Sequence, residues 1–189
     1  TAFYGCTGLE TVALSDGLTE IAARAFSGCS KLASVRLPST LTSIGEYAFY
    51  DCKALADVVV PEKITTLSRS LFAGCTGLKS VTIPAGVKTI DSGTFNKCSA
   101  LESIELPEGL TTLGSQAFMN CSALKSVRIP DGVTAIPNET FAYCSVLETV
   151  ELPSALKTIG NMGFYKNNAL RSISFPETLE TIGTNSFDE

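Results

Sequence analysis

The segment AFSGCSKLASVRLP, residues 25–38, decides the fold of this chain, because close copies of it recur along the sequence. AFYDCKALADVVVP begins at residue 48, LFAGCTGLKSVTIP at residue 71 and AFMNCSALKSVRIP at residue 117. These starting points differ by multiples of 23 residues, and no insertion breaks the register anywhere. The chain of 189 residues is therefore one short unit repeated about eight times.

Four columns of matching residues define the unit. Phe falls at positions 3, 26, 49, 72, 95, 118, 141, 164 and 187, and Cys at 6, 29, 52, 75, 98, 121 and 144, with Asn167 in the eighth place. Leu recurs from Leu9 to Leu170, and Val or Ile from Val12 to Ile173. A fixed period of about 20 to 50 residues is typical of solenoids, propellers and repeat arrays. A unit of 23 residues is too short for a helix pair or a four-stranded blade, so it predicts one coil that contains a strand.

The first half of each coil has the pattern of a strand. In residues 78–84 the apolar Val81 and Ile83 alternate with Ser80 and Thr82, which is the period of a strand with one buried face. Pro84 removes a backbone donor and ends that strand. The turn that follows carries Gly in only four of its eight copies, so we expect no positive φ at this turn.

The second half of each coil predicts less regular structure. Val87 and Ile90 are two further inward positions, which can carry a second and shorter strand. The segment DSGTFNKCSA, residues 91–100, is too short for a regular helix and predicts one helical or 3₁₀ turn.

Stacked coils predict a mainly β solenoid that occupies residues 1–189 as a single domain. Each coil lacks a closed core alone, and stacking joins the Leu, Val/Ile, Phe and Cys columns into one continuous apolar core. The crossover rule for parallel strands predicts right-handed coils. No polar capping unit is evident at either end, so we expect a fragment of a longer array or multidomain protein, or ends that are covered by something else. We also expect uncapped ends to associate with one another.

Composition excludes several classes of protein. The formal net charge of −5 and the lack of a basic patch argue against a nucleic-acid partner. No apolar run approaches the ~20 residues of a membrane span, so we expect no direct membrane insertion. No signal peptide is evident before the first repeat, which already contains Phe3.

The seven cysteines allow three interpretations. Disulfides require converging Cβ atoms, whereas one column on parallel coils points its side chains in the same direction. A metal site requires ligands that converge on one point, and a ladder without His offers none. We favour a column of buried, reduced thiols, and we expect no metal or cofactor.

Catalysis has little support in the sequence. His is absent, so acid–base chemistry would fall to other side chains. Glu105 and Glu151 lie two coils apart, roughly 10 Å by strand spacing, and Arg128 between them would keep both ionised. We therefore expect no catalytic residue.

The outward side of the first predicted strand holds the candidate partner-binding residues. Charge alternates between coils there: Lys79 is followed by Glu102 and Glu105, and then by Lys125 and Arg128. One interpretation is structural, because opposite charges on neighbouring strands hold the register. The other is a charged docking strip, with a small apolar patch in the first coils. The candidate residues are Arg36, Asp57, Val59, Lys79, Glu102, Glu105, Lys125, Arg128, Glu148, Glu151 and Arg171.

The pattern L-x-x-V/I-x-L/I-P…L-x-x-I-x-x-x-A-F-x-x-C resembles the leucine-rich repeat of the BspA-like group over essentially the whole chain. The sequence departs from it locally at Asn167-Asn168, which replace the Cys position, and at Pro137. The resemblance implies a secreted or cell-surface protein that binds host cells or matrix proteins through the exposed concave sheet. We therefore expect a non-catalytic protein-binding or adhesion module. The alternatives are a structural spacer in a larger surface protein and a carbohydrate-active solenoid enzyme.

Overall fold

The computed structural model describes residues 2–188, and within them the chain forms two columns of short strands. The strands are numbered in chain order. The first column contains β1 (Thr11–Val12), β3 (Ser34–Val35), β5 (Asp57–Val59), β7 (Ser80–Thr82), β10 (Ser126–Arg128) and β12 (Thr149–Glu151). The second column contains β2 (Glu20–Ile21), β4 (Ser43–Ile44), β6 (Thr66–Leu67), β8 (Thr89–Ile90), β9 (Thr112–Leu113), β11 (Ala135–Ile136), β13 (Thr158–Ile159) and β14 (Thr181–Ile182).

All strand pairs are parallel, and each joins residues 23 positions apart. Val58 of β5 lies opposite Val81 of β7, and Ile90 of β8 lies opposite Leu113 of β9. The predicted mainly β solenoid and its second short strand are therefore confirmed. Pro137, which directly follows β11, leaves the pairing of β11 with β13 intact.

The segment around each Phe is a run of turns, so the prediction of a helical or 3₁₀ turn was wrong for the described residues. Each Phe from Phe26 to Phe164 is flanked by two residues with a left-handed backbone, which a right-handed helix cannot contain. One lies two residues before the Phe and the other two residues after it. Four of the left-handed residues at these repeat positions are glycines: Gly5, Gly28, Gly74 and Gly93. The others are Arg24, Tyr47, Asp51, Ser70, Lys97, Gln116, Asn120, Glu139, Tyr143, Met162, Lys166 and Asn185, and their φ values are 51–63°.

The glycines of the turn after each Pro have no such requirement. Gly17, Gly86, Gly109 and Gly132 are not among the residues with positive φ, as the mixed residue usage at that turn predicts.

Phenylalanine rings form the centre of the core. Successive Phe rings from Phe3 to Phe187 stack with centroids 5.2–5.8 Å apart and planes within 15° of each other. The segments that hold them are joined by backbone bonds: the N–H of Phe26 donates to the carbonyl of Ala48 at 2.9 Å. Each ring is therefore held at the spacing of the coils, and the stack continues through every repeat.

The cysteine column is reduced, and it is buried from Cys29 to Cys144. Cys6, in the first coil, is exposed, so the expectation that all seven thiols are buried was wrong there. No preceding coil covers that side chain within the described chain. Asn167 takes the eighth position, and its Oδ1 accepts a hydrogen bond from the N–H of Cys144 at 2.9 Å.

The apolar core is open at both ends of the described solenoid. Phe3 is 39% exposed and Phe187 is 36% exposed, whereas Phe95 and Phe118 are fully buried. Ile182 of β14 is 47% exposed. A residue of the central coils is covered on both sides by copies of itself, and a residue of an end coil on one side only.

Candidate partner-binding face

The outward side chains of the first strand column, with the residues that flank them, form what we call the first-strand face. Within β5, Val58 points into the core while Asp57 and Val59 point outward, and the other three-residue strands of this column repeat the alternation. All eleven candidate residues from Arg36 to Arg171 are exposed. Sequence periodicity therefore placed these side chains on the correct side of the sheet.

The strand pairing of this face is interrupted. It consists of three separate pairs, β1–β3, β5–β7 and β10–β12. Residues 101–106 of the fifth coil form no strand, although their side chains still alternate between buried and exposed. The second column is less divided, because β6–β8–β9 and β11–β13–β14 are three-stranded.

Three grooves of the first-strand face lie at such interruptions. The largest, which we call the β3–β5 groove, has a volume of about 450 Å³ and lies between Arg36 on one coil and Asp57 and Val59 on the next. Pro61 and Glu62 of the following turn close its end. Val59 is 64% exposed, which makes it the most exposed large aliphatic side chain of the described residues.

Two smaller grooves flank the fifth coil. One of about 220 Å³ lies between β7 and Ser103, Ile104 and Glu105. The other, of about 240 Å³, lies between Glu105 and Arg128 and is bounded by Glu108. The irregular backbone of the fifth coil therefore opens the face on both sides of Glu105.

The alternating charges form ion pairs at two of their positions. Lys125 lies 3.7 Å from Glu102, and the Nε of Arg128 lies 3.7 Å from Glu151. Lys79 and Glu105 make no ion pair within 4.0 Å among residues 2–188. The alternating charges of the first-strand face can therefore hold the register of neighbouring coils at these two positions.

Arg128 has a second partner that the column pattern missed. Its guanidinium donates a hydrogen bond to the carboxylate of Glu108, which lies in the turn after Pro107. The hydrogen bond and the charge of Glu108 raise the pKa of Arg128. A signal was present in the sequence, because the Pro-Glu-Gly turn places an acidic residue three positions after Glu105.

Asp131 forms a second contact between coils in the same region. Its Oδ1 accepts hydrogen bonds from the N–H of Ser154 at 3.0 Å and from the hydroxyl of Ser154 at 3.2 Å. These bonds lower the pKa of Asp131, and the nearby charge of Arg128 lowers it further. The acidic and basic groups here connect the fifth, sixth and seventh coils.

No group of three or more His, Cys, Asp or Glu side chains in residues 2–188 is arranged to hold a metal ion. No helix of sufficient length and apolarity to cross a membrane occurs in that part of the chain.

Several solved structures share this architecture. A leucine rich cell surface protein from Faecalibacterium prausnitzii is 24% identical with a TM-score of 0.65, and the match covers 99% of this chain and 66% of that protein. The leucine rich repeat protein of T. pallidum is 30% identical with a TM-score of 0.61, over 90% of this chain and 69% of that protein. This chain therefore spans about two thirds of the length of these two proteins.

Comparison of sequences identifies the repeat itself. No curated protein matches the chain significantly. The profile of the BspA type leucine rich repeat region matches residues 1–101 and 68–189, in six copies. Those two matches together cover the whole chain, and the 23-residue coils stack in the register that the repeat requires. The chain therefore belongs to the BspA-type leucine-rich repeat family.

Proposed function

We propose that this chain is a non-catalytic protein-binding module of a bacterial surface protein, and that its partner docks on the first-strand face. The observation that carries the proposal is the β3–β5 groove, where an exposed apolar side chain, Val59, lies between charged groups. Neither Arg36 nor Asp57 forms an ion pair within 4.0 Å among residues 2–188. Their charges are therefore available to a partner.

The composition of this groove suits a protein segment. Protein interfaces combine an apolar centre with a polar rim, and a few anchoring contacts supply most of the binding free energy. Val59 would contact an apolar anchor of the partner, while Arg36 and Asp57 would each pair with an opposite charge. A surface location is supported by the likeness to the F. prausnitzii protein, whose description is a leucine rich cell surface protein.

The proposal is tested by direct binding to purified extracellular-matrix proteins. Fibronectin, laminin and collagen would be immobilised in turn, and binding of the 189-residue chain measured by surface plasmon resonance. We expect Val59→Glu to weaken binding roughly tenfold or more, since it places a charge at the apolar anchor. Val146→Glu is the matched control, because Val146 is also exposed but does not line the β3–β5 groove.

Two outcomes would contradict the proposal. One is the absence of binding to every matrix protein tested, which would favour the role of a structural spacer. The other is equal binding by the wild type and Val59→Glu, which would place the contact elsewhere on the solenoid.

A further inference from the structure

A polar groove lies away from the first-strand face, beside the second strand column. It runs from Glu46 in the second coil to Glu139 in the sixth and has a volume of about 570 Å³. Every residue that lines it is polar or charged, and none lies on a first-column strand. We call it the polar groove. Its lining distinguishes it from the β3–β5 groove, which has an apolar wall.

The shape of the polar groove follows from residue size along three adjacent columns. The small side chains of Ser92 and Ser115 lie in the middle of the central column, with Asp91 and Gln116 in the columns on either side. Larger side chains rise at both ends, with Glu46 and Arg69 at one and Glu139 at the other. The groove is therefore a stretch of small residues enclosed by longer ones.

Backbone hydrogen bonds join neighbouring coils beneath the groove. The N–H of Tyr47 donates to the carbonyl of Arg69 at 3.0 Å, and the N–H of Gly93 donates to that of Ser115 at 2.9 Å. In the same way, the N–H of Gln116 donates to the carbonyl of Asn138 at 3.0 Å. Because these bonds repeat from coil to coil, the side chains are held on a rigid floor at the strand spacing.

The side chains of the groove offer both donors and acceptors. The amide Nε2 of Gln116 donates to Glu139 at 2.8 Å, which leaves the other carboxylate oxygen of Glu139 free to accept. Arg69 and Glu46 form no ion pair within 4.0 Å in the part of the chain that the structure describes. The hydroxyls of Ser92 and Ser115 can both donate and accept.

We propose that the polar groove binds a neutral oligosaccharide. Sugar hydroxyls donate and accept at every ring, which matches a lining that mixes carboxylates, amides, hydroxyls and one guanidinium. The groove spans five coils, or four strand spacings of ~4.8 Å, so it accommodates a chain of several sugar rings.

Other ligand classes fit the groove less well. A peptide gains most of its affinity from apolar or aromatic anchors in desolvated pockets, and this lining supplies none. The carboxylates of Glu46, Asp91 and Glu139 are spread over five coils, with Arg69 between the first two, so they form no concentrated site for a cation. Their net negative charge disfavours an acidic polysaccharide.

The test is affinity electrophoresis of the 189-residue chain through gels that contain one polysaccharide each. The probes are hydroxyethylcellulose, glycol chitin and yeast mannan as neutral chains, and polygalacturonate as the acidic chain. We expect retardation by at least one neutral polysaccharide and none by polygalacturonate. Retardation by polygalacturonate alone, or by no polysaccharide, would overturn the proposal.

Two variants test whether the polysaccharide binds in the polar groove. Ser115→Tyr fills its middle, and the backbone tolerates a large residue there because the same column carries Glu46 and Arg69. Gln116→Gly removes a wall while keeping the left-handed φ of 61° that glycine adopts readily. We expect each to weaken binding roughly tenfold or more, as measured by the gel dissociation constant.

Ser80→Tyr is the control, since Ser80 lies on the first-strand face and outside the polar groove. It should bind the polysaccharide as the wild type does. Circular dichroism and thermal melting identify any variant that fails to fold. If Ser115→Tyr does not fold, Gln116→Gly alone tests the site. Equal binding by Gln116→Gly, Ser115→Tyr and wild type would overturn the assignment. Binding to matrix proteins through Val59 is measured separately, so either proposal can fail alone.

Discussion

The thiol of Cys75 lies 3.0 Å from the carbonyl oxygen of Phe49, which belongs to the preceding coil. The same bond, at 3.0–3.3 Å, joins each buried Cys to the Phe 26 positions earlier. The thiol is a weak donor, and its bond is the second to this carbonyl, which also accepts from the N–H of Cys52 at 3.2 Å. Cysteine thus serves both as a small apolar side chain and as a polar link between coils.

The first prediction concerns thiol reactivity. We expect a thiol-specific reagent to label Cys6 rapidly in the native protein, because it is the one exposed cysteine of the described chain. The other six should react only after unfolding, since they are buried and burial raises the pKa of Cys52 to about 12. Mass spectrometry after brief labelling, with and without denaturant, measures both. Rapid native labelling of Cys75 or Cys98 would contradict the structure.

The second prediction concerns alkaline pH. Burial raises the pKa of Cys52 and Cys144 from an ordinary value of 9.0 to about 12. The stability that each of these buried thiols contributes is therefore fully present below pH 9 and is lost as pH rises from 9 toward 12. In that range the thiol ionises readily only in the unfolded state. Each such thiol should lower the free energy of unfolding by roughly 1.4 kcal/mol per pH unit.

Urea unfolding at several pH values in the alkaline range measures this slope. Cys75→Ala is the informative variant, because burial raises the pKa of Cys75 well above its ordinary value. Its slope should be shallower than that of the wild type by about one proton. Identical slopes would show that Cys75 titrates normally in the folded protein.

The third prediction concerns the phenylalanine stack. We expect Phe95→Ala to lower the free energy of unfolding by about 3–5 kcal/mol, because it leaves a cavity in a closed core. Phe187→Ala is the matched control in the same column, and its side chain is 36% exposed. Phe187→Ala should lower the free energy of unfolding clearly less than Phe95→Ala does. Equal losses in urea unfolding would mean that the end coils are covered as well as the central ones.

The fourth prediction concerns the charge ladder. Arg128→Glu replaces the partner of Glu108 and Glu151 with a third acidic group, so it should lower the melting temperature at low salt. The difference should shrink as salt is added, since the screening length is about 10 Å at 0.1 M. Lys79→Glu, in the same ladder but without an ion pair in the described chain, should change the melting temperature less. A salt-independent effect would refute an electrostatic origin.

The fifth prediction concerns the open ends of the 189-residue chain. Hydrogen exchange should be slowest between about residues 75 and 150 and faster outward, because end coils are covered on one side only. Exposed Phe3 and Ile182 also predict self-association that rises with concentration. Sedimentation velocity at several concentrations measures the association. Uniform protection in a strictly monomeric chain would contradict both expectations.

The candidate faces differ in how far the sequence could predict them. The exposure of Arg36, Asp57, Val59, Glu105, Arg128 and Glu151 follows from period-two alternation, which is visible in one copy of the repeat. The column of Lys79 directly precedes another exposed residue, so that alternation does not account for its exposure. Glu108 was missed as a partner of Arg128 because the two residues occupy different columns. The polar groove was missed for the same reason, since its lining combines neighbouring columns from five coils.

Sequence alone determined the solenoid, its register and the identity of the core columns. The reason is periodicity: with 23 residues in every copy, a column that is buried in one central coil is buried in the next central coil. Tertiary structure alone decided the left-handed residues around each Phe, the interruptions of the first strand column and the grooves. These features depend on how neighbouring coils share backbone hydrogen bonds and space. Residue type predicts the backbone conformation only weakly, since Lys97 and Gly74 occupy the same repeat position and both have positive φ.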